Sequence, residues 1–393
     1  MKTPAMNQGK YVFAQFASFL PQRIFDKCVE QYNGNYRIRS FSCWNQLLCM
    51  IFGQLSGRES LSDLVVSLHA HKSKSYHLGI GRSITKPNLA KANQRRDCRI
   101  FSDFAYYLIA EARQCCIRES DFEIDIKGSV YAFDSSIIDL CLNVFWWATF
   151  RKGKGAIKLH TLFDIKTCIP SFIYITEGLI HDVNILDELH YEKGSFYIMD
   201  RGYIDYERLY TIHLNKAYFV IRAKDNLRFT RMYSSPCNKS AGICCDQTVK
   251  MRICNSAKSY PEKLRRIKFY DAENRRYLVF LTNNLDLKAE EIALLYKYRW
   301  KIELFFKWIK QHLKVKSFWG TSENAVKTQV YIAIITYTLV AIIKSKLSIE
   351  RSTYEILQIL SVSLFDKTPI NELLENQIYQ DVKELNCNQL SLF

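Results

Sequence analysis

Residues 296–316 read YKYRWKIELFFKWIKQHLKVK, with seven Lys or Arg residues and a single acid, Glu303. Wound as an α-helix, the stretch brings Tyr296, Arg299, Lys307 and Lys310 within about 40° of Glu303. Ile302, Phe305, Phe306 and Ile309 fall on other bearings and form a broad apolar face. One side anchors the helix, and the other displays a carboxylate among cations and a phenol. On an isolated helix, pairs of this kind contribute about a few tenths of a kcal/mol each and decorate a solvated face. Whether Glu303 does more depends on the rest of the chain.

The chain has 393 residues, 48% hydrophobic and 14% aromatic, enough for two or three domains with their own cores. Its formal net charge is +16, which points to a polyanionic partner, nucleic acid first among them. The excess is uneven. Residues 126–345 carry a balance of +13, residues 1–125 a balance of +6, and residues 346–393 a balance of −3. No secretory leader is read behind Lys2, so the expected location is cytoplasmic and the 13 cysteines are expected as reduced thiols. Cys237, Cys244, Cys245 and Cys254 have no familiar zinc spacing. The apolar run 330–343 is short for a membrane span and reads as a buried helix.

Residues 1–125 read as a helical N-terminal domain. FSCWNQLLCMIFGQL (41–55) and SLSDLVVSLHAH (60–71) have helical apolar spacing, with Gly57 ending the first and Ser60 or Ser62 starting the second. Thr85 before Pro87 starts a third helix, and Lys91, Arg95 and Arg99 recur on it as a basic stripe. From residue 128 the period changes. GSVYAFDSSIIDL, AIKLHTLFDI, IPSFIYITEG, GSFYIMD and AYFVIRAK read as strands, with helical patterns at HDVNILDELH and at RGYIDYERLYTIHLNK. Together they predict a mixed sheet covered by helices over 126–224. Residues 225–285 are β-rich, with a hairpin at 272–274, and are expected to form a separate lobe inserted in that unit. The unit resumes over 286–345, with Asp286 as a helix cap, and 346–393 form a helical tail.

Three acids stand out by position: Asp134 at the end of the first strand, Asp200 at the end of SFYIM, and Glu303 on the basic helix. Strand ends in α/β sheets are where sites gather, and carboxylate clusters suit hard cations such as Mg2+. Two such ions support phosphodiester chemistry. Asp164, His160 and Asp139 read as turn or strand-surface residues, and His181 with Asp182 as a pair following a strand.

Tyr296, Arg299, Glu303 and Lys310 satisfy Y-x2-R-x3-E-x6-K. That pattern resembles the region of the last acid in bacterial insertion-sequence DDE transposases of insertion sequence family 4. AFDSS (132–136) resembles the first-Asp region of that family, MDRGY (199–203) its second, and KLHTLFDIKTCIPSFIYITEGLIHDVN (158–184) shares its character. The resemblance covers about residues 125–345. It implies an α/β, RNase H-like catalytic core with a β-rich insertion, preceded by the helical domain and followed by the helical tail. It implies DNA cleavage at element ends and strand transfer, with Asp134, Asp200 and Glu303 holding two Mg2+ ions and Mn2+ able to substitute. Tyr296, Arg299 and Lys310 would contact the DNA end, the partners being terminal inverted repeats and target DNA, with a homodimer in the synaptic complex and no membrane. Some relatives stack an aromatic residue on a flipped base, for which Tyr277, Phe280 and Trp300 are the candidates here. The alternatives are a nuclease of the same fold without strand transfer and an inactive DNA-binding repressor; the intact acids argue against the second.

Overall fold

The change of period near residue 128 separates a helical cluster from a sheet in the computed structural model, which describes residues 9–81, 84–116, 122–141, 143–151, 154–252, 254–312 and 318–375. The N-terminal helices are α1 (Val12–Ala17), α2 (Gln22–Gln31), α3 (Cys43–Leu55), α4 (Leu61–Ala70), α5 (Lys72–Ser75), α6 (Lys86–Arg95) and α7 (Arg99–Cys116). Their starts are set locally. The Ser42 hydroxyl accepts from Asn45 N while the Asn45 side chain accepts from Ser42 N, closing a capping box on α3. The Ser60 hydroxyl caps α4 and the Thr85 hydroxyl caps α6. Gly57 adopts a φ of 65° just past α3, the left-handed backbone at which a helix commonly stops. The predicted stripe of Lys91, Arg95 and Arg99 is interrupted: α6 stops at Arg95, and Arg99 opens α7 in an ion pair with Asp97.

After the sheet come α12 (Glu323–Lys346), α13 (Thr353–Ser363) and α14 (Ile370–Leu374). Helix α12 is long and apolar enough to cross a membrane by composition, yet 83% of its most apolar window is buried inside the protein. It packs on α3, α6 and α7, so the N-terminal helices and the chain after the sheet share one core. The Gln15 amide ties the two ends together, donating to Thr368 O and accepting from Ile370 N, each at 2.9 Å.

The sheet has ten strands among the described residues: β1 (Val130–Leu140), β2 (Thr149–Arg151), β3 (Lys154–Asp164), β4 (Ile169–Glu177), β5 (Phe196–Met199), β6 (Tyr218–Arg222), β7 (Phe229–Ser235), β8 (Ile243–Met251), β9 (Leu264–Asp271) and β10 (Arg276–Thr282). Their order is β2-β3-β1-β5-β6-β10-β9-β8-β7, with β4 also on β3. Strands β1, β5 and β6 run parallel in the middle, and the rest pair antiparallel. Helices α8 (Tyr206–Leu214) and α9 (Cys254–Ser259) flank one face. HDVNILDELH forms a 3-10 helix over Asp182–Glu188.

Three expectations differ from what is observed. Segment 225–285 is β-rich but not a separate lobe: β10 pairs with β6, so the inserted strands extend the same sheet. An unpaired β6 edge would leave buried backbone groups without partners, and β10 supplies them. The basic helix is two helices, α10 (Ala289–Tyr298) and α11 (Trp300–His312), which break at Arg299. Tyr296 therefore packs inward on Phe280, ring centroids 4.7 Å apart, while residues 313–316 lie outside the described residues. Lys288, not Asp286, occupies the cap of α10; Asn284 instead accepts from the Asp286 and Leu287 amides.

Candidate active site

Parallel pairing between β1 and β5 runs from Val130↔Phe196 to Phe133↔Met199 and stops there. The next residue on each strand is an acid, Asp134 and Asp200. Asp134 is not at the end of its strand, because β1 continues along β3, where Asp134 faces Thr161. It stands where β1 parts from β5, at the C-terminal edge of the parallel strands. The Asp134 carboxylate accepts from Ser135 N at 2.8 Å, and Asp200 accepts from Arg201 N at 2.6 Å, capping the turn Arg201–Tyr203.

By alternation Asp134 shares a face with Val130 and Ala132, which belong to the same core cluster as Ile302, Phe305, Phe306 and Ile309 of α11. The Phe305 ring lies 5.1 Å from that of Phe163 on β3. This apolar face, predicted for the helix, seats α11 over the strand edge and brings Glu303 and Arg299 to Asp134. Arg299 Nη1 donates to Asp134 Oδ2 at 3.0 Å, and Nη2 donates to Glu303 Oε1. Burial pushes the Asp134 carboxyl up to about 6; Arg299 and the Ser135 amide oppose the shift, and Glu303 and Asp200 add to it. Burial disfavours the charge of Arg299, but Tyr296, Asp134, Glu303 and Asp200 outweigh it and hold the guanidinium charged. Arg299 thus bridges Asp134 and Glu303, and Asp200 adds to the field at both Asp134 and Arg299.

Of the remaining predicted contacts, burial raises the Tyr296 phenol, whose field includes Arg299, Asp200 and Arg222. Lys310 lies seven residues beyond Glu303 on α11, partly exposed. Among the aromatic candidates, Phe280 is 1% exposed and belongs to the core, whereas Tyr277 and Trp300 are each 59% exposed.

Sequence reasoning missed Arg222. It ends β6, one position past the Ile221↔Met199 pair and therefore beside Asp200 in register. Its guanidinium makes no ion pair or hydrogen bond with a described residue. The signal was present in AYFVIR, a buried strand ending in a charge, as Asp200 ends FYIM. His160 and Asp164, expected at the surface, are buried. Asp164 forms an ion pair with Arg113 at 3.1 Å. His160 donates or accepts with Thr176 Oγ1 at 2.9 Å and lies 3.9 Å from Asp182, which pairs with Lys158 at 3.1 Å. His160 lies on β3 between β1 and β4, with Thr176 of β4 and Asp182 against its ring.

Hard oxygen donors held together against their own repulsion are the donor set that a divalent cation favours. The donor chemistry suits such an ion, yet among the described residues no group of three acids is placed to hold one, and Arg299 lies between Asp134 and Glu303.

The chain matches the family described as "Transposase DDE domain" over residues 125–339. Residues 8–81 match a domain of unknown function. A protein of Sinorhizobium fredii named as a transposase is 31% identical over 65% of this chain and 70% of its own length. One of Geobacillus stearothermophilus, named as a transposase for an insertion sequence element, is 28% identical over 70% of this chain and 73% of its own. A third, of Synechocystis, also named as an insertion-element transposase, is 26% identical over 67% and 73%. A sheet edge gathering acids around one guanidinium and a domain of this kind define an enzyme that acts on DNA. The chain belongs to the DDE transposases of bacterial insertion sequences, a family that binds DNA and depends on a divalent metal ion.

Proposed function

We propose that Asp134, Asp200 and Glu303 hold two Mg2+ ions, with Mn2+ able to substitute, and that Tyr296, Arg299 and Lys310 contact the phosphates of the DNA end. The observation that carries this reading is the ion pairing of Asp134 and Glu303 through one guanidinium, with Asp200 in the same field. Ions of this kind activate an attacking oxygen and stabilise the leaving one in phosphodiester chemistry. The chain's own contribution is positional. The end of the β1–β5 pairing sets two carboxylates on adjacent strands, and the apolar face of α11 sets the third. The run β4-β3-β1-β5-β6, antiparallel pairs followed by parallel ones, supports an RNase H-like core. The helices of 1–125 and strands of 225–285 read the element ends, the basic excess of 126–345 meets the backbone, and two copies synapse two ends. The enzyme works in the cytoplasm.

The test is single-turnover cleavage of element-end DNA with Mg2+, followed by joining of the 3′ ends to a plasmid. Glu303→Gln should lower cleavage by orders of magnitude, because a misplaced ion forfeits several kcal/mol of transition-state stabilisation. End binding should be unchanged or slightly tighter. A near-parental rate from Glu303→Gln would reduce the acid to an ordinary salt-bridge partner.

A further inference from the structure

We propose that Arg299 is an exchange partner for the metal: its guanidinium bridges the acids when no DNA is bound, and a phosphate of the DNA end draws it off as metal enters. DNA and metal binding are thereby coupled through one side chain. This deepens the proposed metal site and rests on it.

Arg299 binds Asp134 Oδ2 and Glu303 Oε1 directly, atoms from the very carboxylates that would coordinate an ion. Guanidinium and ion cannot both occupy the gap. Nor does Arg299 leave freely, since its departure strands like charges in a site where its own side chain is 15% exposed and that of Asp134 is 22% exposed. A second cation must arrive as it goes. Equally, the departing guanidinium needs an anion, and its planar fork matches a phosphate.

Two details favour movement over permanent bridging. Arg299 sits at the break between α10 and α11. Its Nε is buried without a hydrogen-bond partner, so the bridge leaves part of the fork unsatisfied. The Tyr296 ring, with its centroid 5.7 Å from Arg299 Cζ, supplies a face along which the guanidinium stays stacked. The consequence is reciprocal: if DNA raises metal affinity by some factor, metal raises DNA affinity by the same factor. Without DNA the acids stay latched, which keeps the protein from being armed by metal alone.

The test measures Mn2+ binding to the full-length chain by electron paramagnetic resonance, with and without a duplex carrying the element end, correcting for Mn2+ bound by the duplex alone. Parental protein should bind Mn2+ about 10-fold more tightly with DNA, within the usual range of coupling. Arg299→Ala should bind Mn2+ more tightly than the parent without DNA, and the DNA effect should shrink toward none. Arg299→Gln, which preserves more of the packing, should behave alike. If both variants bind DNA-free Mn2+ no better than the parent, the exchange is refuted. Glu303→Gln separates this from the site itself: if it binds Mn2+ as the parent does with DNA present, the metal-site reading fails. Loss of Mn2+ affinity in Glu303→Gln together with unchanged coupling in Arg299→Ala sinks only the exchange.

Discussion

Asp134→Asn should make the metal-free protein more stable. The carboxyl is carried on a buried strand, and its side chain keeps 22% of its exposure. Burial raises its titration from the ordinary 3.8 to about 6, with Glu303 and Asp200 adding to the rise and Arg299 only partly offsetting it. An acid raised on folding binds its proton more tightly in the folded chain. Its ionised form therefore costs stability, fully above the folded value and not at all below the unfolded one. A rise from 3.8 to about 6 corresponds to roughly 3 kcal/mol at 1.36 kcal/mol per unit. The lost pairing with Arg299 is already inside that shift, so it is not subtracted again. Asn keeps the shape and an acceptor for Ser135 N while removing the charge.

Thermal unfolding in EDTA at pH 8 should show Asp134→Asn melting several degrees above the parent. The gap should narrow as the pH falls from about 6 to below 3.8, where the parent carboxyl is protonated in both states. Mg2+ should reverse the order, stabilising the parent and leaving the variant nearly unmoved. A variant less stable than the parent at pH 8 in EDTA would mean that Arg299 overcompensates burial and repulsion, and the strained-carboxylate account would be refuted.

Burial lowers His160 to about 4, with Asp182 opposing the shift and Lys158 adding to it. A base depressed on folding loses stability as the pH falls from its ordinary 6.5 toward 4, by about 3 kcal/mol in all; His160→Gln should flatten that stretch of the denaturant-unfolding profile. Lys310→Ala should weaken binding of end DNA and lower the slope of log affinity against log salt by about one unit in salt-titrated binding. Arg222→Ala should lower that slope by about one unit as well, and it should also slow single-turnover cleavage, since Arg222 stands beside Asp200 where Lys310 does not.

What the sequence disclosed was local. Ser60 and Thr85 act through residues three positions away, so their caps are visible in a short window. Asp134 and Asp200 stand out because each follows a short buried run, and Glu303 because it is alone among cations. What stayed hidden depends on distant chain. His160 looks like one residue of an alternating strand, and the groups at its ring, Thr176 and Asp182, come from later in the chain. The pairing of β10 with β6 joins residues about sixty apart, and no local pattern announces that an insertion will complete an edge rather than fold away from it. The break at Arg299 is hidden for another reason: the apolar spacing continues through it.

That break changes the meaning of the opening stretch. Its cations on the described residues do not form one DNA-facing row. Lys297 is paired with Glu273 at 3.0 Å, and Lys301 reaches Ile165 O at 3.3 Å while lying over the Tyr298 ring; both serve the fold. Arg299 is spent on two acids. Lys307 is exposed on the described part of α11 and Lys310 is partly exposed about one turn further on, so the salt slope for Lys310 tests whether this end of the helix meets the DNA. The single acid is explained by the same charges. Asp134 and Glu303 against Arg299 leave one negative charge beyond what that guanidinium neutralises, and Asp200 stands beside Arg222 in register. A fourth carboxylate would raise Asp134 further and neutralise it, while one fewer would let Arg299 satisfy the site without metal. Three acids against two arginines leave a residual negative charge that a divalent cation can meet, while the pairs of Arg299 with Asp134 and Glu303 hold the edge together without one.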